Sequence, residues 1–172
     1  YFYEAARIVL GGIQQFWLNY VKELQSLAEE ERDEAQRTEY LQLADQMEWI
    51  AHNPPRNFRE ALHMTYLIHV TVLNEDAISG YSPGRLGQVL YPYFEKDIAD
   101  GTITEEEVLE LLENHRFKFS AIELFASTGI SGGISGNTFN NLSLGGLQKN
   151  GRPCGNRLEW LILHAGMTNP CP

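Results

Sequence analysis

Three features of this 172-residue sequence have residue types and spacings that support chemistry. Ser82-Pro83-Gly84-Arg85 reads as a helix opening, with Ser82 as the cap and Pro83 as the first helical residue. Free backbone amides and the positive end of a helix dipole at such a point suit a carboxylate or sulfonate, and Arg85 one turn in adds a bidentate contact. The plainer reading is an ordinary cap followed by a surface arginine. Between Ser127 and Gly136 the residues are only Ser, Thr, Gly and Ile, with glycines at 129, 132, 133 and 136. This run has neither the Lys-Ser/Thr ending of a P-loop nor the Gly-x-Gly-x-x-Gly of a dinucleotide fold. It therefore reads first as backbone that bends sharply or lies close to another group, and only second as a phosphate cradle. The third feature is a set of five histidines, His52, His63, His69, His115 and His164, scattered over the predicted helices. No pair has the i, i+4 spacing of a helical zinc site, and no cysteine pair completes one. A serine nucleophile elbow is absent too, because Gly80-Tyr81-Ser82-Pro83-Gly84 places proline where a free amide must follow the nucleophile.

These residues are positioned mostly by helices. Val9, Ile13, Phe16, Trp17, Tyr20, Val21, Leu24, Leu27 and Ala28 have amphipathic helical spacing. A charge run from Glu29 to Arg37 reads as a solvated junction, and Tyr40, Leu43, Ala44, Met47, Ile50 and Ala51 carry a second helix. Asn53-Pro54-Pro55-Arg56 stops that helix, since proline removes an amide donor and disfavours helix in the residue before it. Asn57 and Glu60 have capping-box spacing ahead of Ala61 to Leu73, which is apolar nearly all round and so predicts a buried helix whose β-branched end can alternatively be a strand. A helix from Ser82 runs through Tyr91, Phe94 and Ile98 to Asp100-Gly101. Thr104 and Glu107 then cap one through Leu111, Leu112 and Phe119. Phe139 to Leu144 predicts a short strand closed by Gly145-Gly146, and Asn150-Gly151 a turn. Asn156 and Glu159 cap a last helix ending at Gly166.

Composition excludes several classes. The net charge is −10, from 23 acidic and 13 basic residues, which disfavours a nucleic-acid partner. The sequence is 43% hydrophobic and 11% aromatic, enough for a core. No run of about 18 uncharged apolar residues exists to span a membrane. Two cysteines, Cys154 and Cys171, make no disulfide framework or metal knuckle, so a reducing, cytoplasmic setting is the expectation. The chain starts inside a helical pattern at Tyr1-Phe2-Tyr3, shows no signal-peptide pattern, and ends at Asn169-Pro170-Cys171-Pro172; it reads as an internal segment.

Several pieces together resemble the pyruvate formate-lyase domain of glycyl radical enzymes. They are Asn53-Pro54-Pro55-Arg56 with Phe58-Arg59-Glu60-Ala61-Leu62, Ser82-Pro83-Gly84-Arg85 with Gln88 and Tyr91-Pro92-Tyr93, and the run from Gly136-Asn137-Thr138-Phe139 to Gly145-Gly146. Their order and spacing match the family, and residues 1–172 lie along part of one such domain, truncated at both ends. The resemblance implies an α/β fold, this chain being a helix-rich internal portion of a ten-stranded barrel. It implies a glycyl radical, installed by a radical-SAM activating enzyme, that oxidises a cysteine in a Gly-Cys-x-Glu type loop. Both the radical glycine and that cysteine would lie outside the chain, since neither Cys154 nor Cys171 matches the motif. This segment by itself is then expected to bind no cofactor and to have no catalytic residue or activity.

The resemblance further places Ser82 as a substrate hydrogen-bonding residue and Phe139 as an aromatic pocket wall facing the reactive cysteine. Tyr81 stands where dehydratases of the family often have histidine. Asn137, Thr138 and Arg85 are further substrate-binding candidates, Arg85 with a structural role as its alternative. The implied function is radical cleavage of a C–C or C–X bond in a small organic acid, in a homodimer. Tyr81-Ser82 and Phe125-Ala126-Ser127 favour an arylacetate-type decarboxylase or a sulfonate C–S lyase over a dehydratase. The rival from another class is a non-catalytic acidic helical scaffold domain, since residues 1–100 carry 16 acidic and 8 basic side chains.

Overall fold

The computed structural model describes residues 1–76, 82–122 and 141–168. Six helices occupy most of them: α1 (Phe2–Glu30), α2 (Glu34–His52), α3 (Phe58–Asp76), α4 (Leu86–Ala99), α5 (Glu105–Ser120) and α6 (Arg157–Thr168). They fall into two units, Tyr1–Arg56 and Asn57–Pro172. No regular strand occurs among the described residues.

The first unit is a helical hairpin. The predicted junction over Glu29 to Arg37 shrinks to residues 31–33, because Asp33 caps α2 by accepting from the Ala35 amide at 2.9 Å and the Gln36 amide at 3.2 Å. Trp17, Val21 and Ala28 of α1 and Ala44, Met47, Ile50 and Ala51 of α2 are buried. Gln14 Nε2 donates to the Ala51 carbonyl at 2.9 Å, which sets the antiparallel register. Beyond α2, Trp49 Nε1 donates to the Pro54 carbonyl at 2.9 Å while the Arg56 guanidinium covers its ring at 4.7 Å. The proline stop is thus folded back onto the helix it ends.

The second unit is built around Phe58 and Leu62 of α3, Leu86, Leu90 and Phe94 of α4, Val108 and Leu112 of α5, and Leu158, Ile162 and Ala165 of α6. The stretch from Ala61 to Leu73 is helical to its β-branched end, which resolves the strand alternative. Its N-terminus has two caps. Asn57 Oδ1 accepts from the Glu60 amide at 2.9 Å, and Asp97 Oδ2, on the buried carboxylate of α4, accepts from the Phe58 amide at 2.7 Å. Replacing Asp97 by alanine leaves a buried amide unpaired, and about 1–3 kcal/mol of local stability should be lost. Asp97→Asn keeps an acceptor and should recover most of it. Equal losses in the two variants by denaturant titration would remove Asp97 from that role.

The Thr104–Glu107 capping box is complete, the Thr104 amide donating to Glu107 Oε2 at 2.7 Å and the Glu107 amide to Thr104 Oγ1 at 3.2 Å. Asn156 caps α6, accepting from the Glu159 amide at 3.0 Å. That helix continues past the predicted end at Gly166 to Thr168. A Cβ at Gly166 would lie 3.5 Å from Arg116 Nη1, an ordinary contact distance, so this glycine neither stops the helix nor is demanded by its packing.

Candidate functional site

Of the six substrate-binding candidates, Ser82 and Arg85 lie among the described residues. Tyr81, Asn137, Thr138 and Phe139 lie outside them, as do the Ser127–Gly136 glycine run and Phe125-Ala126-Ser127.

The predicted helix opening at Ser82-Pro83 moves. Helix α4 starts at Leu86 with Arg85 as a cap that makes no side-chain capping bond. The physical reason is Gly84, whose φ of +69° breaks the helical path and lets residues 82–84 run alongside a later segment. Ser82 is thereby removed from the helix terminus, and its Oγ instead accepts from the Asn141 amide at 3.2 Å. Two residues on, the Gly84 carbonyl accepts from the Ser143 amide at 3.0 Å, across a parallel bridge between Gly84 and Leu142. That single bridge is what the described part of the predicted Phe139–Leu144 strand becomes. A strand needs a paired neighbour along its length, and this one has a three-residue partner.

The arrangement has a chemical consequence at Ser82. Its oxygen already accepts from Asn141, so its own hydrogen is available to donate, and the side chain is exposed. An exposed hydroxyl oriented in this way presents a donor to a carboxylate or sulfonate oxygen. Arg85 is also exposed, and among the described residues its guanidinium forms no ion pair.

The structure gathers residues that sequence spacing left apart. His69 on α3 and His115 on α5 converge on Phe119, whose ring centroid lies 4.3 Å from that of His69 and 4.4 Å from that of His115, and His63 on α3 is an electrostatic neighbour of His115. Thr65 Oγ1 lies 3.4 Å from His115 Nε2, and Lys118 Nζ stands 5.3 Å above the Tyr66 ring. Burial, with Lys118 adding to it, lowers His63 to about 4; burial alone lowers His69 to about 4. Burial, the two other histidines and Lys118 together lower His115 to about 3. The cluster is therefore neutral near pH 7. Among the described residues no group of three or more His, Cys, Asp or Glu side chains has the geometry to hold a metal ion. The i, i+6 spacing of His63 and His69 signals no shared face, and only the packing of α3 on α5 brings His115 to them.

An open groove along α6 is lined by Trp160, Leu163, His164 and Met167, with the Glu105–Arg157 ion pair at its edge. It includes none of the candidate substrate residues. No helix among the described residues is long and apolar enough to cross a membrane.

Comparison with known proteins gives a consistent set of relatives. A family profile described as "Pyruvate formate lyase-like" matches residues 1–172. The chain is 53% identical, over 97% of its length, to the "4-hydroxyphenylacetate decarboxylase glycyl radical subunit" of Clostridioides difficile, covering 19% of that protein. It is 43% identical, over 90% of its length, to the "Indoleacetate decarboxylase" of Tractidigestivibacter scatoligenes, covering 18% of it. The crystal structure of a glycyl radical enzyme from Archaeoglobus fulgidus matches with a TM-score of 0.85 at 30% identity, over 95% of this chain and 21% of that one. The chain thus spans about a fifth of the length of the proteins it matches.

Proposed function

The chain belongs to the pyruvate formate lyase-like family, and from that premise we propose that the protein containing it is a glycyl radical enzyme that decarboxylates an arylacetate. The observation that carries this reading is the high identity to two relatives named as decarboxylases of 4-hydroxyphenylacetate and indoleacetate, each covering at least nine-tenths of this chain. On this reading residues 1–172 are part of one α/β barrel domain, the radical glycine and reactive cysteine lie elsewhere in the protein, and a radical-SAM enzyme installs the radical. A homodimer in the cytoplasm is part of the same proposal.

The roles of the candidate residues follow from elementary chemistry. Ser82, with its hydroxyl hydrogen free, donates to the substrate carboxylate and holds it in one orientation. Phe139, Tyr81, Asn137 and Thr138 line the pocket around the aryl group, and an apolar wall at Phe139 keeps water from a radical intermediate. Arg85 supplies positive charge near the carboxylate. The chain's own residues bind and shield, while the glycyl radical supplies the one-electron chemistry.

The test is anaerobic activation of the complete protein, with the radical measured by electron paramagnetic resonance and products by chromatography. Carbon dioxide and a methylarene should form from 4-hydroxyphenylacetate or indoleacetate. Phe139→Ala should lower turnover at least about tenfold with full radical content. A fully activated enzyme that leaves both arylacetates untouched would refute the assignment, and sulfite release from an alkylsulfonate would move it to C–S cleavage.

A further inference from the structure

The segment that leaves Phe139 is held at two ends. At one, Ser82 and Gly84 hold Asn141 to Ser143. At the other, Gly145 and Gly146 both take positive φ, +68° and +92°, which turns the Gly145 carbonyl toward α4 and the loop before α6. Gln88 Nε2 donates to that carbonyl at 3.3 Å and to Cys154 Sγ at 2.8 Å. The Cys154 thiol itself donates to the same carbonyl at 2.9 Å, and the Cys154 amide donates to the Gly146 carbonyl at 3.1 Å. Cys154 is buried and Gln88 half-buried, so these bonds are sheltered from competing water.

Every group gripping residues 141–145 from the α4 side comes from seven consecutive residues, Ser82 to Gln88. We propose that Gln88, acting through Cys154 and the Gly145 carbonyl, is a positioning residue that fixes residues 141–145 relative to Ser82. The inference rests on the reading above that residues 137–139 line the substrate pocket. Phe139 stands two residues before Asn141 in the chain, so a loosened 141–145 segment passes its displacement directly to the wall. Gln88 holds the stretch that follows Phe139 in the chain at one place beside Ser82, and loss of that hold is expected to weaken substrate binding.

The experiment uses the complete protein carrying Gln88→Leu, Cys154→Ala or Cys154→Ser. Amide hydrogen exchange over residues 141–154 is read before activation. KM, kcat and radical content are read after it. Gln88→Leu and Cys154→Ala should speed exchange at Ser143 and Cys154 and raise KM about tenfold, with radical content unchanged. Cys154→Ser retains a donor to Gly145 and should stay within about twofold of the parent. Unchanged exchange in Gln88→Leu, or faster exchange with unchanged KM, overturns the proposal. If Gln88→Leu does not fold, the Cys154 pair decides, and equal KM in the alanine and serine variants overturns it. An activated parent that turns over no arylacetate sinks the functional assignment instead, and exchange alone then decides the role of Gln88.

Discussion

Acidification from pH 7 to pH 5 is expected to destabilise the second unit steeply. His63, His69 and His115 are held neutral by burial, at about 4, 4 and 3, against an ordinary value of 6.5. Between pH 6.5 and about 4 the unfolded chain binds protons at all three that the folded chain refuses. The folded state therefore loses ground as pH falls, by up to about 4 kcal/mol per pH unit if all three titrate fully. As pH rises past 6.5 the unfolded histidines also lose their protons and the dependence fades. Thr65 and Tyr66 of α3 and Lys118 and Phe119 of α5 face the cluster, and Lys118 opposes any added positive charge. Calorimetric melting at pH 7, 6 and 5 should fall steeply, and His115→Gln should remove about one proton from the slope. A triple variant of the three histidines with the same pH dependence as the parent would show that the cluster is not its source.

Gly87→Ala is the second large effect, and its sign is the reverse of the usual one. In a helix, alanine is normally favoured over glycine by about 0.5–1 kcal/mol. At Gly87 a Cβ would fall 2.3 Å from Glu159 Cγ, and Glu159 is only 4% exposed, so it has nowhere to swing. Overpacking of this kind costs about 1–3 kcal/mol, which outweighs the propensity gain. Glu159 Oε1 has no hydrogen-bond partner among the described residues, so Glu159→Ala removes a buried carboxylate oxygen that contributes little. The double variant should therefore recover most of the loss, with a coupling of about 2 kcal/mol between α4 and α6. Exchange protection at the Leu90 and Leu158 amides measures it. Additive effects in that cycle would mean that the two side chains do not compete for the same space.

Arylacetate decarboxylation and the α4-side clamp stand or fall separately from these two stability effects. The histidine cluster and the Gly87–Glu159 contact are properties of the helical packing around Phe58 and Leu158, whatever the protein turns over. The proposed roles of Ser82 and Gln88 concern substrate binding and how one loop is held beside another.

Residue types and spacing alone determined where most of the helices lie, three of their caps and the family. Thr104 with Glu107, Asn156 with the Glu159 amide, and Asn57 with the Glu60 amide are contacts within four residues, and such contacts are set by local chain geometry. The Asn150-Gly151 turn is local in the same way, the Gly151 amide donating to the Gln148 carbonyl at 2.9 Å. The family resemblance was equally legible, because ordered motifs from residue 53 to 146 are a property of the linear sequence. What the tertiary structure alone decided is long-range. Ser82 looked like a cap because serine before proline usually is one, but Asn141, 59 residues away, claims its oxygen. Gly87 has no sequence signal that marks it, and only the packing of Glu159 against it makes a side chain there costly. The three histidines gave no pattern because α3 and α5 meet only when both bury their apolar faces against α4 and α6. Side chains that share no helix turn are brought together by that burial, and hydrophobic burial has no direction that a residue spacing can record.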